Sequence, residues 1–305
     1  MPLFPMKRLL CHARQNAYAV GYFESFNMDA MFAVLEAADK KDSPVIIGFG
    51  GQFISSPKRS VIDGVYGFGA LARESAVRAR VPVAVLLNES NREDMVYQGM
   101  HAGFNAVMYQ NANEDYGRTV EITKNICRTA HMLGIDVESE VGELPNSDIA
   151  TGRLTGGRNT DAAQAAEFAE ITGIDALAVA IGNVHILEGK TAEIDYGLLA
   201  RLKSEIDLPL VLHGGTGLSP ADIRRLAGNG ISKINVGTVL KRAYIDAVMD
   251  FCKTRDLANI DPHVTIGWGG PEDMISCGRA AIEEKIEGLM EVFGSAGQAG
   301  NVMKS

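Results

Sequence analysis

The residues best suited to chemistry crowd into one stretch, Leu208-Pro209-Leu210-Val211-Leu212-His213-Gly214-Gly215-Thr216-Gly217. An apolar run bounded by turn residues fits a strand buried on both faces. It ends in His213, whose imidazole can bind a metal or carry a proton. Glycine follows, and glycine amides can be turned toward an anion. Ser219-Pro220-Ala221-Asp222 then reads as a helix N-cap, a first-turn proline and a first-turn carboxylate. An ordinary strand-to-helix connection with a structural histidine satisfies the same pattern, so this stretch alone leaves both readings open.

Further groups of this kind stand at the ends of other apolar runs. Ala178-Val179-Ala180-Ile181-Gly182-Asn183-Val184-His185 supplies a second imidazole, and Asn235-Val236-Gly237-Thr238 places polar groups and amides at another helix start. Glu138 and Glu140 are two apart and share one face of a strand. Asn88-Glu89 close the run that begins at Val83. His12, His101, His131 and His263 fall in the terminal segment, on helices or in loops, and read as structural or solvated.

The elements that must position these groups alternate along the chain. Strands are expected near Ala17–Tyr22, Pro44–Gly48, Val83–Leu87, Ala106–Tyr109, Asp136–Val141, Ala176–Ile181, Leu208–His213 and Lys233–Val236. Helical spacing lies between them: Met28, Met31, Phe32 and Leu35 share a face, as do Ile122, Ile126, Ala130 and Leu133. Met28 and Met31 are read as helix core. Eight strand–helix units over about 250 residues match a (β/α)8 TIM barrel, an α/β fold whose chemistry collects at the C-terminal strand ends. A doubly wound sheet is the alternative, with fewer strands as a rule. We expect one domain over residues 1–305, with the barrel at about 17–255, a helical extension at about 256–305 and a frayed glycine-rich tail from Gly294.

Composition narrows the partners. Of 305 residues, 46% are hydrophobic and 22% charged, as in soluble globular proteins, and the net charge is −9. That charge, with a sequence pI near 5.2, argues against nucleic acid, though oriented amides and a metal still permit an anionic substrate. Cys11, Cys127, Cys252 and Cys277 are scattered, which fits reduced thiols in a cytoplasmic protein. No run approaches a membrane span, and Met1–Leu10 does not read as a signal peptide.

With the strand ends in place, the chain resembles the class II, metal-dependent fructose-bisphosphate and tagatose-bisphosphate aldolases. The resemblance rests on Ser43-Pro44-Val45-Ile46-Ile47, Val137-Glu138-Ser139-Glu140-Val141-Gly142 and Thr172-Gly173-Ile174-Asp175, and on the runs ending in His185 and His213. Gly230-Ile231-Ser232-Lys233-Ile234-Asn235-Val236 and Phe293-Gly294-Ser295-Ala296-Gly297 extend it, so that it spans roughly Ala17 to Gly297. It implies that His185 and His213 hold a divalent metal, zinc in the usual case, with a monovalent cation as a second candidate. It assigns Gly182, Gly214, Gly215, Thr216, Asn235, Gly237 and Thr238 to the phosphate and ketone end of dihydroxyacetone phosphate. Asp148 falls where the family keeps a loop glutamate that moves a proton on the dihydroxyacetone carbon, and Glu140 where it has an acidic residue near the metal. A homo-oligomer, dimer or tetramer, acting on a small phosphorylated sugar is implied as well.

The departures cluster in the first half of the barrel. Where the family reads His-x-Asp-His, this chain has Leu86-Leu87-Asn88-Glu89, so Asn88 replaces the catalytic aspartate and Glu89 a metal histidine. Glu24 stands in place of Asn, Gly50 of Ser, Gln110 of Asp, and Ile186 of the glycine after the metal histidine. Two histidines and one carboxylate remain an accepted zinc set with an open position, so Glu89, His185 and His213 are the expected ligands. The other reading of Glu89 points it at solvent or a neighbour. Three functions follow: a carbon–carbon lyase on a phosphorylated ketose with an unusual aldehyde half, a metal-dependent isomerase or epimerase of a sugar phosphate, or a non-catalytic sugar-phosphate binder. The first is preferred, with catalytic positions Asn88, Glu140 and Asp148.

Overall fold

A computed structural model describes the chain except residues 1, 61–63, 143–145, 148–153, 184–192, 216–217 and 257, and the side chains of 146–147 and 154–155. Its strands are β1 (Val20–Glu24), β2 (Val45–Gly50), β3 (Val83–Ser90), β4 (Ala106–Tyr109), β5 (Asp136–Val141), β6 (Asn146–Ser147), β7 (Leu154–Thr155), β8 (Ala176–Val179), β9 (Leu210–Leu212) and β10 (Ile231–Val236). Its helices are α1 (Met6–Gln15), α2 (Met28–Lys40), α3 (Gly51–Ile54), α4 (Val65–Arg78), α5 (Glu93–Ala102), α6 (Tyr116–Met132) and α7 (Ala162–Thr172). They continue as α8 (Tyr196–Glu205), α9 (Pro220–Gly228), α10 (Thr238–Thr254), α11 (Pro262–Thr265), α12 (Met274–Phe293) and α13 (Ala299–Lys304). Eight parallel strands close in the order β1-β10-β9-β8-β5-β4-β3-β2, and β6 pairs antiparallel with β7 outside them. The fold is a (β/α)8 TIM barrel, with each expected strand in place.

Strand alternation divides the side chains between two cores. Ala19, Phe23, Val45, Ile47, Val85 and Leu87 face outward onto the helices. Val20, Ile46, Ala84, Leu86, Ala106, Met108, Ala176, Ala178 and Val211 fill the barrel's lower interior, together with Phe4, Met6, Leu9, Leu10 and Ala13 from α1 and its approach. The amphipathic α1 thus seals the N-terminal end of the barrel. Each Val, Leu, Ile, Phe or Met side chain withdrawn there contributes about 1.5–3 kcal/mol relative to exposure.

Three details differ from expectation. Met28 is 50% exposed while Met31 is buried, because Met28 opens α2 at the solvent side of its first turn. Leu133 is exposed because it caps α6, whereas Ile122, Ile126 and Ala130 are buried. The tail is packed, not frayed: Ala299 and Val302 are buried, Gly297 donates its amide to the Lys41 carbonyl, and Val302 joins the α1 core. Cys11, Cys127, Cys252 and Cys277 are unbridged, and among the described residues no helix is long and apolar enough to cross a membrane.

Candidate active site

Above the apolar layers, inward positions near the strand ends become polar. His213 lies just past β9 and is fully buried. Its Nε2 is 3.0 Å from Glu138 Oε1 on β5, and its Nδ1 is 3.0 Å from Glu89 Oε1 on β3. Lys233 on β10 donates to both oxygens of Glu138 at 2.9 and 2.8 Å, and its ammonium sits 5.0 Å from the Tyr22 ring centroid. Glu89, His213, Glu138 and Lys233 therefore form a row of alternating charge across four strands. Burial pulls the His213 pKa down, but hydrogen bonds to Glu138 and Glu89 outweigh it and raise it to about 9. Burial likewise pushes Glu138 up, yet Lys233 and His213 hold it below its ordinary value. Burial lowers Lys233 against the pull of Glu138; contact with both carboxylate oxygens keeps that pair ionised.

Glu89 reaches this row through a backbone irregularity. Plain alternation would send Asn88 inward and Glu89 outward. Instead Leu87 pairs with Val107 and Ser90 with Tyr109, so three residue steps of β3 oppose two of β4. Glu89 takes a left-handed conformation with φ of 46°, strain of about 1–3 kcal/mol that the surroundings must hold. Gln52 Nε2 donates to its second oxygen at 2.9 Å. Asn88 stays inward and buried, and its Oδ1 accepts no hydrogen bond among the described residues. Beside it, burial and then Glu24, Glu89 and Glu138 hold the Tyr22 phenol well above its ordinary pKa. That phenol can donate but cannot serve as a base.

Glu140 accepts a 3.0 Å hydrogen bond from Gln110 Nε2, and a cleft lined by Asn111, Tyr116, Arg158 and Gln164 opens beyond them. Buried Asn183 accepts from the Ile181 amide and donates to the His213 carbonyl, both at 2.8 Å, which fixes the backbone that carries the imidazole. Gly214 has φ of 68°, a conformation that favours glycine. A Cβ on Gly215 would meet Ile234 Cγ2 at 2.7 Å. Asn235 is 8% exposed, and neither polar atom of its amide has a partner among the described residues. Gly237 precedes α10 without a side-chain cap, and while the Leu240 and Lys241 amides bond the Gly237 carbonyl, those of Thr238 and Val239 are left to face an anion. Gly182, with φ of 96°, ends the β8 side of the mouth.

The barrel therefore brings Asn88, Glu89, Glu140, His213, Gly214, Gly215, Asn235, Gly237 and Thr238 to one end. Asp148, His185 and Thr216 lie outside the described residues. Sequence reasoning passed over Lys233, Tyr22 and Asn183, and gave Glu138 no role beyond its shared face with Glu140. A charged residue inside the apolar run Ile231–Val236 was the available signal for Lys233, because a buried charge needs a partner.

Residues 4–298 match the family model for fructose-bisphosphate aldolase class II. The chain belongs to that family. It is 31% identical over 287 residues to the uncharacterized protein YdjI of Escherichia coli K12, covering 94% of this chain and 96% of that protein. A crystal structure described as the YdjI aldolase superposes with a TM-score of 0.80 at 29% identity, over 97% of this chain and 99% of that one. The fructose-bisphosphate aldolase of Staphylococcus aureus strain Mu50 is also 31% identical over 304 residues, covering 98% of this chain and 100% of its own.

Members of the family generally depend on a divalent metal. Among the described residues, no three His, Cys, Asp or Glu side chains are grouped to hold one. The donor chemistry fits all the same. Glu138 engages Nε2 of His213 and so aims Nδ1 at Glu89, the carboxylate–histidine arrangement that orients metal ligands. Nδ1 of His213 and Oε1 of Glu89 face each other at 3.0 Å, and both are donor types that a divalent metal accepts.

Proposed function

We propose that this chain is a carbon–carbon lyase that cleaves a phosphorylated ketose into a dihydroxyacetone phosphate-like half and an atypical aldehyde. The observation that supports the reading is the convergence of Glu89 and His213 beside two glycine-bearing turns on adjacent strands, β9 and β10. Glu89 and His213, with His185, would hold a divalent metal, zinc by preference, and that ion would supply Lewis-acid stabilisation of developing negative charge. The amides of Gly214 to Thr216 and the start of α10 bind the phosphate, with Gly182 flanking it. Asn235 offers an unengaged amide to the ketone end. Asp148 moves the proton at the dihydroxyacetone carbon, and Glu140, braced by Gln110, places a carboxylate at the rim.

Cleavage also needs an acceptor for the proton of the hydroxyl that becomes the aldehyde. The Asn88 amide is too weakly basic, and the Tyr22 phenol is already protonated. A missing general base lowers a rate by about 10²–10⁴. We therefore expect slow cleavage of fructose and tagatose bisphosphates, with proton exchange on dihydroxyacetone phosphate intact. Asn88→Asp should speed cleavage by up to roughly that factor. Both rates are measured in the wild type and variant, cleavage by aldehyde release and exchange by deuterium uptake. Cleavage of either bisphosphate by the wild type above about 1 s⁻¹ would overturn the role given to Asn88. The loss of this base also favours a second reading, isomerisation or epimerisation, which exchange without cleavage of any ketose would select. Binding with neither reaction would select a non-catalytic protein.

A further inference from the structure

Tyr22 on β1 faces into the barrel and is 1% exposed. In register it stands between Asn235 of β10 and Ile46 of β2. Its ring crosses β2 where Gly48 offers no side chain. A Cβ at Gly48 would meet Tyr22 Cε2 at 3.1 Å and overlap the Leu86 carbonyl oxygen. Gly48 pairs with Leu86 on β3, two residues before Asn88. The missing side chain thus lets a residue of β1 reach over β2 toward the polar end of β3.

At that end the phenol has hydrogen-bonding capacity left over. Asn88 pulls its pKa down, as an amide N–H directed at the oxygen does, while burial, Glu24, Glu89 and Glu138 push it up. Neither the Tyr22 hydroxyl nor Asn88 Oδ1 has a hydrogen-bond partner among the described residues, and both atoms are closed to solvent. The Asn235 amide beside Tyr22 is unpartnered in the same way. Inward positions on β10, β1 and β3 therefore all carry unused polar groups. A buried hydroxyl left unpaired is unfavourable, and a fold that retains one gains where a ligand completes the bond.

Resting on the lyase reading, which sets the oxygen of the future aldehyde beside Asn88, we propose that Tyr22 is a catalytic residue. Its phenol donates a hydrogen bond to that oxygen and stabilises the negative charge that Asn88 cannot prevent by taking the proton. In cleavage the hydroxyl loses its proton to water. The oxygen's electron pair then forms the carbonyl as the carbon–carbon bond breaks. The pair of that bond passes to the donor carbon, which takes a proton from Asp148, and Asp148 regains one from water. Tyr22 keeps its own proton throughout. A fixed donor in a site shielded from water favours the charged oxygen over the neutral hydroxyl.

The test uses the full-length, metal-supplemented protein. Cleavage of fructose and tagatose bisphosphates is followed by aldehyde release, and condensation by consumption of glyceraldehyde with dihydroxyacetone phosphate. Exchange is read as deuterium uptake into dihydroxyacetone phosphate alone. Tyr22→Phe removes one oxygen atom and keeps the ring. Cleavage and condensation should both fall by about 10²–10³ in kcat, as when one oxyanion donor is lost, while exchange, which does not involve that oxygen, holds. The melting temperature should hold or rise, because the deleted hydroxyl has no partner in the free protein. In an Asn88→Asp background, where a carboxylate takes the proton, Tyr22→Phe should lower cleavage less than it does in the wild type. Cleavage unmoved by Tyr22→Phe overturns the role. So does a loss of exchange and melting temperature in step with cleavage, which would mark the residue as packing, or an equal loss in both backgrounds. Each of these leaves the lyase reading standing, since the wild type still cleaves. Wild-type protein that exchanges deuterium yet neither cleaves nor condenses sinks the lyase reading itself, and the role of Tyr22 with it.

Discussion

His213 is held between two carboxylates in the barrel mouth, and this makes the protein sensitive to pH. Its folded pKa, about 9, lies above the ordinary 6.5. The stability it contributes is therefore complete below about pH 6.5 and is lost as pH rises through about 9. In chelator-treated protein the melting temperature should fall across that window, and Glu89→Gln should flatten the fall because it removes one of the two supporting carboxylates. A melting temperature constant from pH 6.5 to 9.5 would show that the imidazole is not protonated in the folded state. The ends of this row were legible in the sequence, since Glu89 and His213 close apolar runs. Its middle was not. Glu138 and Lys233 neutralise each other from strands ninety-five residues apart, and local pattern carries no trace of such a pairing.

Between elements, β1 and α10 meet where the Glu24 carboxylate occupies the space that a side chain at 237 would fill. Gly237 has φ of −136°, so alanine is allowed by the backbone there and only the contact is at stake. Gly237→Ala should destabilise by about 1–3 kcal/mol, the usual range for overpacking. In a Glu24→Ala background most of that loss should vanish, a coupling of roughly 0.5–3 kcal/mol in a double-mutant cycle. Additive effects would mean that the two positions do not share this space. Strands were readable because each is a short apolar run, although β8 and β9 stop about two and one residues before their predicted ends. The β3 bulge was hidden. It depends on register against β4 and on one residue with φ of 46°, and nothing in Leu86-Leu87-Asn88-Glu89 announces an extra residue.

For the whole molecule, the barrel is closed from below by two terminal helices. α1 packs its apolar face into the strands, and α13 adds Val302 to the same cluster. Arg8 on α1 donates to the Ser305 carbonyl at 2.8 Å. Removing residues 299–305 should lower stability by at least about 2 kcal/mol, the value of one buried aliphatic side chain and more. Thermal denaturation checks this, and an unchanged melting temperature would show that α13 merely rests on the surface. The expected fraying is absent because Gly294 and Gly297, with φ of 75° and 76°, form turns that bring α13 back to the barrel. A closed base has a historical consequence. The residues that keep the barrel shut are not those that would meet a ligand, so substitutions at the rim leave the seal made by α1 and α13 in place. A lineage built on this plan can alter its rim without first unsealing its base.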